Sequence, residues 1–181
     1  RIISSATSPE TELKINAPQP GWAEQDPQTW WLHIEKATAR LLTESNVNPA
    51  DIQAVGIAYQ MHGLVLVDKD KQPIRPAIIW CDSRAVDIGN AAFERLGQEK
   101  CLQRLLNSPG NFTASKLKWV KDNEPVIYGR INKAMLPGDY IAMKLTGSIN
   151  TTPSGLSEMI LWDYQNNALA DFVLEHFEFD P

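Results

Sequence analysis

The residues with chemistry to offer lie in one stretch of the chain. Gln60-Met61-His62-Gly63 ends an apolar, β-branched run that starts at Ile52, and Trp80-Cys81-Asp82-Ser83-Arg84 ends a second run from Ile74 to Ile79. Strand ends are where α/β folds place their ligand sites. A neutral imidazole offers one donor and one acceptor, so His62 is either a ligand contact or a core histidine with its partners satisfied. Gly63 beside it lets the backbone turn and another group approach closely. Trp80 serves a core or a binding wall equally in chemical terms. Asp82 and Arg84, two apart in a turn, read as a helix cap and a mutual ion pair. His33 on a helix face and His176 near the C-terminus read as structural or solvated. Self-contained catalytic motifs are missing: the chain has no GxGxxG, no Gly-rich loop ending in Lys-Ser or Lys-Thr, no HExxH and no GxSxG.

The elements that must position these groups alternate between strand and helix patterns. Arg1 to Thr7 and Glu12 to Ile15 read as β-like. Asp26-Pro27 starts a helix, with aspartate as cap and proline at the first position; Trp30, Ile34, Ala37, Leu41 and Leu42 form its apolar stripe. Ile52 to Tyr59 reads as a buried strand, and Leu64 to Asp68 with Ile74 to Ile79 as a hairpin around a polar turn. Helices follow over Ser83 to Leu96 with Gly97 as stop, over Glu99 to Leu106, and from Thr113 to about Asn123. Lys133 to Leu136 reads as an interior strand, Tyr140 to Leu145 as a helix closed by Gly147, Asn150 to Ser157 as turns, and Ala168 to Phe177 as a last helix. This is an α/β pattern, and the hairpin implies a mixed sheet flanked by helices.

Composition removes several functions. The chain of 181 residues is 43% hydrophobic and 22% charged, ordinary for a globular domain. With 22 acidic against 17 basic residues the net charge is -5, which opposes binding to nucleic acid or an anionic membrane surface. No apolar window approaches the roughly 18 to 20 residues that span a bilayer. Cys81 and Cys101 form neither a CxxC nor a ligand set with histidine, so they read as reduced thiols in a cytoplasmic protein, and no metal site is expected. The chain opens at Arg1 inside a β-like stretch and stops at Pro181 after an aromatic-rich helix, so it reads as part of a longer protein.

Four strings together resemble the N-terminal lobe of the FGGY carbohydrate kinases: Trp22-x-Glu24-Gln25-Asp26-Pro27-x-x-Trp30-Trp31, Gln60-Met61-His62-Gly63, Pro76-Ala77-Ile78-Ile79-Trp80-x-Asp82-x-Arg84 and Leu136-Pro137-x-Asp139-Tyr140. Thr113-Ala114-Ser115-Lys116-Leu117-Lys118-Trp119-Val120 also fits that family's first signature. The likeness runs over nearly the whole chain in order. Within the family, the Gln-Met-His-Gly string points to a ketopentose rather than glycerol or gluconate.

The resemblance implies an RNase H-like, actin-like ATPase domain lacking its first strands, with residues 1–181 as the sugar-binding lobe. It implies ATP, with Mg2+, as phosphoryl donor to a small-molecule sugar, and it admits a homodimer. Met61 and His62 would contact sugar hydroxyls, Trp80 would wall the carbon face, and Asn111 would line the site at a position where the family signature has a small or aromatic residue. No catalytic residue is expected here. The opening phosphate hairpin would lie before Arg1, and the catalytic aspartate with most of the nucleotide site after Pro181. Asp82 and Asp139 are helix-cap candidates, not bases. Two other readings fit the same strings: a family member acting on gluconate or another pentulose, and a non-catalytic binding domain that kept the fold.

Overall fold

The computed structural model describes residues 1–180. Helix α1 (Pro27–Ser45) begins as its cap demands: Asp26 accepts the Gln28 N–H at 2.9 Å, Pro27 takes the first position, and Asn46 ends it in the left-handed region. Strands β1 (Glu24–Gln25) and β3 (Ala77–Ile78) pair antiparallel, as do β2 (Val65–Val67) and β4 (Lys133–Met135). A bridge between Leu64 and Ile78 ties these pairs into the order β1-β3-β2-β4. The expected hairpin is present, with Leu64 and Ile78 exchanging hydrogen bonds at 2.9 and 3.1 Å.

Because side chains alternate across a strand, Val65 and Val67 meet Met135, Tyr140 and Ile141 on one side. Leu64 and Leu66 meet Ile78 and Val120 on the other. Burial of both faces explains the unbroken apolar run. Helices α2 (Val86–Leu96), α3 (Gln98–Arg104) and α4 (Thr113–Asn123) follow, then the short α5 (Pro125–Tyr128). After β4 come α6 (Pro137–Thr146) and α7 (Pro153–Glu158), strands β5 (Trp162–Asp163) and β6 (Ala168–Leu169), and α8 (Asp171–Phe177). A third core joins α2, α3, α4 and α8 through Ala92, Cys101, Leu105, Ala114, Val173 and Phe177.

Several expectations are corrected. Ile52 to Tyr59 is no buried strand: it runs without backbone hydrogen bonds from residue 53 to residue 61 among the described residues, and Val55 is 70% exposed. A β-branched run becomes a strand only beside another strand's N–H and C=O groups, and here none lies alongside. Glu12 to Ile15 and Arg1 to Thr7 fail for the same reason; only Asn16 forms a bridge, to Glu24. The sheet is antiparallel throughout the described residues, not mixed. Segment 150–157 holds a helix after all, because Thr152 accepts the Gly155 N–H at 3.0 Å and Pro153 opens α7. Three helix starts shift: α2 begins at Val86 without a side-chain cap, α6 begins at Pro137, and α8 begins at Asp171 because Ala168 and Leu169 pair with β5 as a strand.

Candidate functional site

Three segments distant in sequence meet at the end of the β2–β3 hairpin. The first is Tyr59 to Gly63. His62 lies in the left-handed region at φ 57°, a conformation that a non-glycine residue adopts at a cost of about 1–2 kcal/mol. Both ends of the residue are held by charged side chains. The Glu158 carboxylate accepts its N–H at 2.9 Å, and the Lys116 ammonium donates to its carbonyl at 2.8 Å. Lys116 Nζ also donates to the Ile79 carbonyl at 3.2 Å, so one buried cation from α4 ties both strand ends. Gly63 serves close approach by protein: a Cβ there would stand 2.6 Å from Pro137 Cγ.

The second segment runs from Trp80 to Arg84. Trp80 is 57% exposed, which removes the core reading, and its N–H donates to Gln60 Oε1 at 2.9 Å. Asp82 is fully buried and accepts from Ala23 N at 2.6 Å, from Arg84 N at 2.9 Å and from the Arg84 guanidinium at 2.7 to 3.0 Å. The expected ion pair therefore forms, but α2 is not capped by Asp82. Arg84 lies 3.8 Å from the Trp22 ring centroid and 4.8 Å from that of Trp119, and also pairs with Glu24 at 2.8 Å. This aromatic and carboxylate cage makes the 80–84 turn rigid.

Asn111 comes from the third segment, the loop before α4. Its amide donates to the Asp82 carbonyl, which orients the other end of the side chain, and Oδ1 is buried without a partner among the described residues. Phe112 next to it packs edge-on against the His62 ring with centroids 4.1 Å apart. His62 Nδ1 is likewise buried without a partner among the described residues. Met61 is 56% exposed. The four residues singled out through the resemblance thus sit on segments joined by hydrogen bonds and by the His62–Phe112 contact.

A family model described as the FGGY family of carbohydrate kinases, N-terminal domain, matches residues 2–180. The chain belongs to the FGGY family of carbohydrate kinases. Its relatives include a protein named xylulose kinase from Escherichia coli K12, 35% identical over 91% of this chain and 33% of that protein. The solved structure of a xyloylose kinase from Brucella ovis is 30% identical with a TM-score of 0.84, over 93% of this chain and 35% of that one. A gluconate kinase from Lactobacillus acidophilus matches with a TM-score of 0.83 over 94% of this chain and 34% of that one, at only 19% identity, a likeness of fold alone. The chain spans about a third of the length of the curated relatives it matches. The α/β class and the actin-like type of fold stand.

Electrostatics in this FGGY chain follow from burial. Desolvation lowers the Lys116 pKa to about 8, with the nearby Asp82 charge acting the other way. Burial also lowers the His62 pKa, partly opposed by Glu158, and so favours the neutral imidazole. The Asp139 carboxyl is pushed up by burial; it sits at the start of α6, where it accepts from Leu136 N at 3.3 Å as a cap. Among the described residues no three His, Cys, Asp or Glu side chains converge to hold a metal ion. No described helix is long and apolar enough to cross a membrane. His33 Nδ1 is satisfied by Ser8 Oγ at 2.8 Å, and Cys81 and Cys101 are free thiols.

Two residues at the site carry no obvious mark in the sequence. Lys116 stood only as a signature position, although a lysine flanked by Ala114, Ser115 and Leu117 in an amphipathic helix hints at burial. Glu158 had no signal at all, because its partners lie 96 and 99 positions away.

Proposed function

We propose that this chain is the sugar-binding N-terminal part of an ATP-dependent xylulokinase, a cytoplasmic enzyme that phosphorylates D-xylulose to D-xylulose 5-phosphate. The observation that carries the reading is the pair of buried, unpartnered polar atoms, His62 Nδ1 and Asn111 Oδ1, on tethered segments beside exposed Trp80 and Met61. A polar group buried without a partner costs about 1–3 kcal/mol, and a polyhydroxylated ligand would satisfy both atoms while Trp80 covers its carbon face. Relatives named xylulose kinase, at 30–35% identity, support the ketopentose over other substrates. ATP supplies the phosphoryl group in such a kinase. Phosphoryl transfer asks the protein mainly for positioning and charge stabilisation, and this chain's share is positioning: His62 and Asn111 orient hydroxyls, and the Lys116 tie keeps the His62 and Trp80 segments in register.

The test is kinetic, in the full-length protein. His62→Ala should lower kcat/KM for D-xylulose by about 5- to 150-fold, the equivalent of one lost buried hydrogen bond, with KM for ATP unchanged. Trp80→Ala should raise KM for the sugar with little change in melting temperature, since the residue is more than half exposed in this chain. Unaltered sugar kinetics in both variants would overturn the reading.

A further inference from the structure

We propose that Glu158 is a positioning residue for ketose recognition, acting through the backbone of His62; this rests on the reading of segment 59–62 as sugar-binding. Among the described residues the Glu158 carboxylate makes two hydrogen bonds, and both go to that segment. Oε1 accepts the His62 N–H at 2.9 Å and Oε2 accepts the Tyr59 hydroxyl at 3.1 Å. No ion pair engages Glu158 among the described residues. Its hydrogen bonding among the described residues is therefore confined to this loop.

His62 needs such a hold. Its left-handed backbone is unfavourable for a residue with a side chain, and the segment before it has no strand neighbour to fix it. A charge-assisted hydrogen bond to the N–H is of the stronger class. With Lys116 on the carbonyl, it fixes the peptide planes on both sides of the His62 Cα. The side-chain direction follows from those planes, and the imidazole is set edge-on to Phe112 with Nδ1 inward. Tyr59 is the second anchor. Its ring lies over Gly138, where a Cβ would come within 2.2 Å of it, and this close approach brings the hydroxyl to Glu158. Glu158 occupies the C-terminal end of α7, half-buried at the surface, so changing it disturbs little of the core.

A double-mutant cycle in the full-length protein tests this. Glu158→Ala should lower kcat/KM for D-xylulose by about 3- to 30-fold while KM for ATP stays fixed. Glu158→Gln, whose amide oxygen still accepts the N–H, should recover part of the loss and keeps the test readable if the alanine variant folds poorly. In a His62→Ala background the Glu158→Ala effect should shrink to about 2-fold or less, because the group it positions is gone. Full additivity of the two losses, or wild-type sugar kinetics in Glu158→Ala, overturns the role of Glu158 and leaves the sugar site standing. Wild-type sugar kinetics in His62→Ala alone overturns the Glu158 proposal, and wild-type kinetics in both His62→Ala and Trp80→Ala overturns the sugar site itself.

Discussion

Lys116→Met removes a buried cation while keeping most of the volume of its stem, and its main effect should be on the pH dependence of stability. The side chain is fully buried, its ammonium bonded to the His62 and Ile79 carbonyls. Desolvation is the largest influence and Asp82 only partly offsets it, so the folded pKa stands at about 8 against 10.5 for an ordinary lysine. The unfolded chain keeps this proton until near 10.5, whereas the folded chain releases it near 8. Between those values the unfolded state binds more protons, so Lys116 makes stability rise with pH. From about pH 7 to about pH 9.5 the rise works out at about 2 kcal/mol. Cys101, Tyr59 and Tyr140, all pushed upward, act in the opposite direction at high pH but are common to both proteins. The measurement is urea unfolding followed by tryptophan fluorescence on the 181-residue chain and its Lys116→Met variant. The wild-type stability minus that of the variant should grow by about 2 kcal/mol over that range. A difference that stays flat, or that shrinks as pH rises, would refute the assignment of a desolvated ammonium.

Gly89→Ala should destabilise by about 3 kcal/mol or more, read as a lowered unfolding midpoint, since overpacking against rigid atoms is poorly relieved. The added Cβ would stand 1.7 Å from the Gly110 carbonyl oxygen, a backbone atom, so an unchanged midpoint would contradict the contact between α2 and the 107–111 loop. At acid pH the Arg104–Asp163 pair should dominate a different limb of the stability curve. Hydrogen bonding from Arg104 holds the Asp163 carboxyl below the ordinary 3.8, so the pair stabilises above that value and loses its contribution as pH falls beneath it. Arg104→Leu should therefore narrow the gap between neutral and acid stability in an unfolding titration, and an unaltered acid limb would count against it.

Local chemistry was legible without the structure. The Asp26-Pro27 cap, the glycine stop at 147 and the bounds of α4 all depend on interactions within a few residues, and each stands as read. The hairpin of residues 64–79 was equally legible, since an alternation of runs and a polar turn specify it locally. The motif strings identified the family and drew attention to Met61, His62 and Trp80, and the signature at 113–120 drew attention to Asn111 before it. What the sequence could not decide was every feature that depends on a distant partner. Ile52 to Tyr59 has all the residue types of a buried strand, but a strand exists only where another backbone accepts its hydrogen bonds, and no local pattern reports that. Trp80 is chemically suited to a core; its exposure follows from the rigid turn built by Asp82, Arg84 and two tryptophans at positions 22 and 119. The conformation of His62 is set by Lys116 and Glu158, 54 and 96 residues away, because a hydrogen bond between charged side chain and backbone depends on where the folded chain brings them and not on their spacing along it.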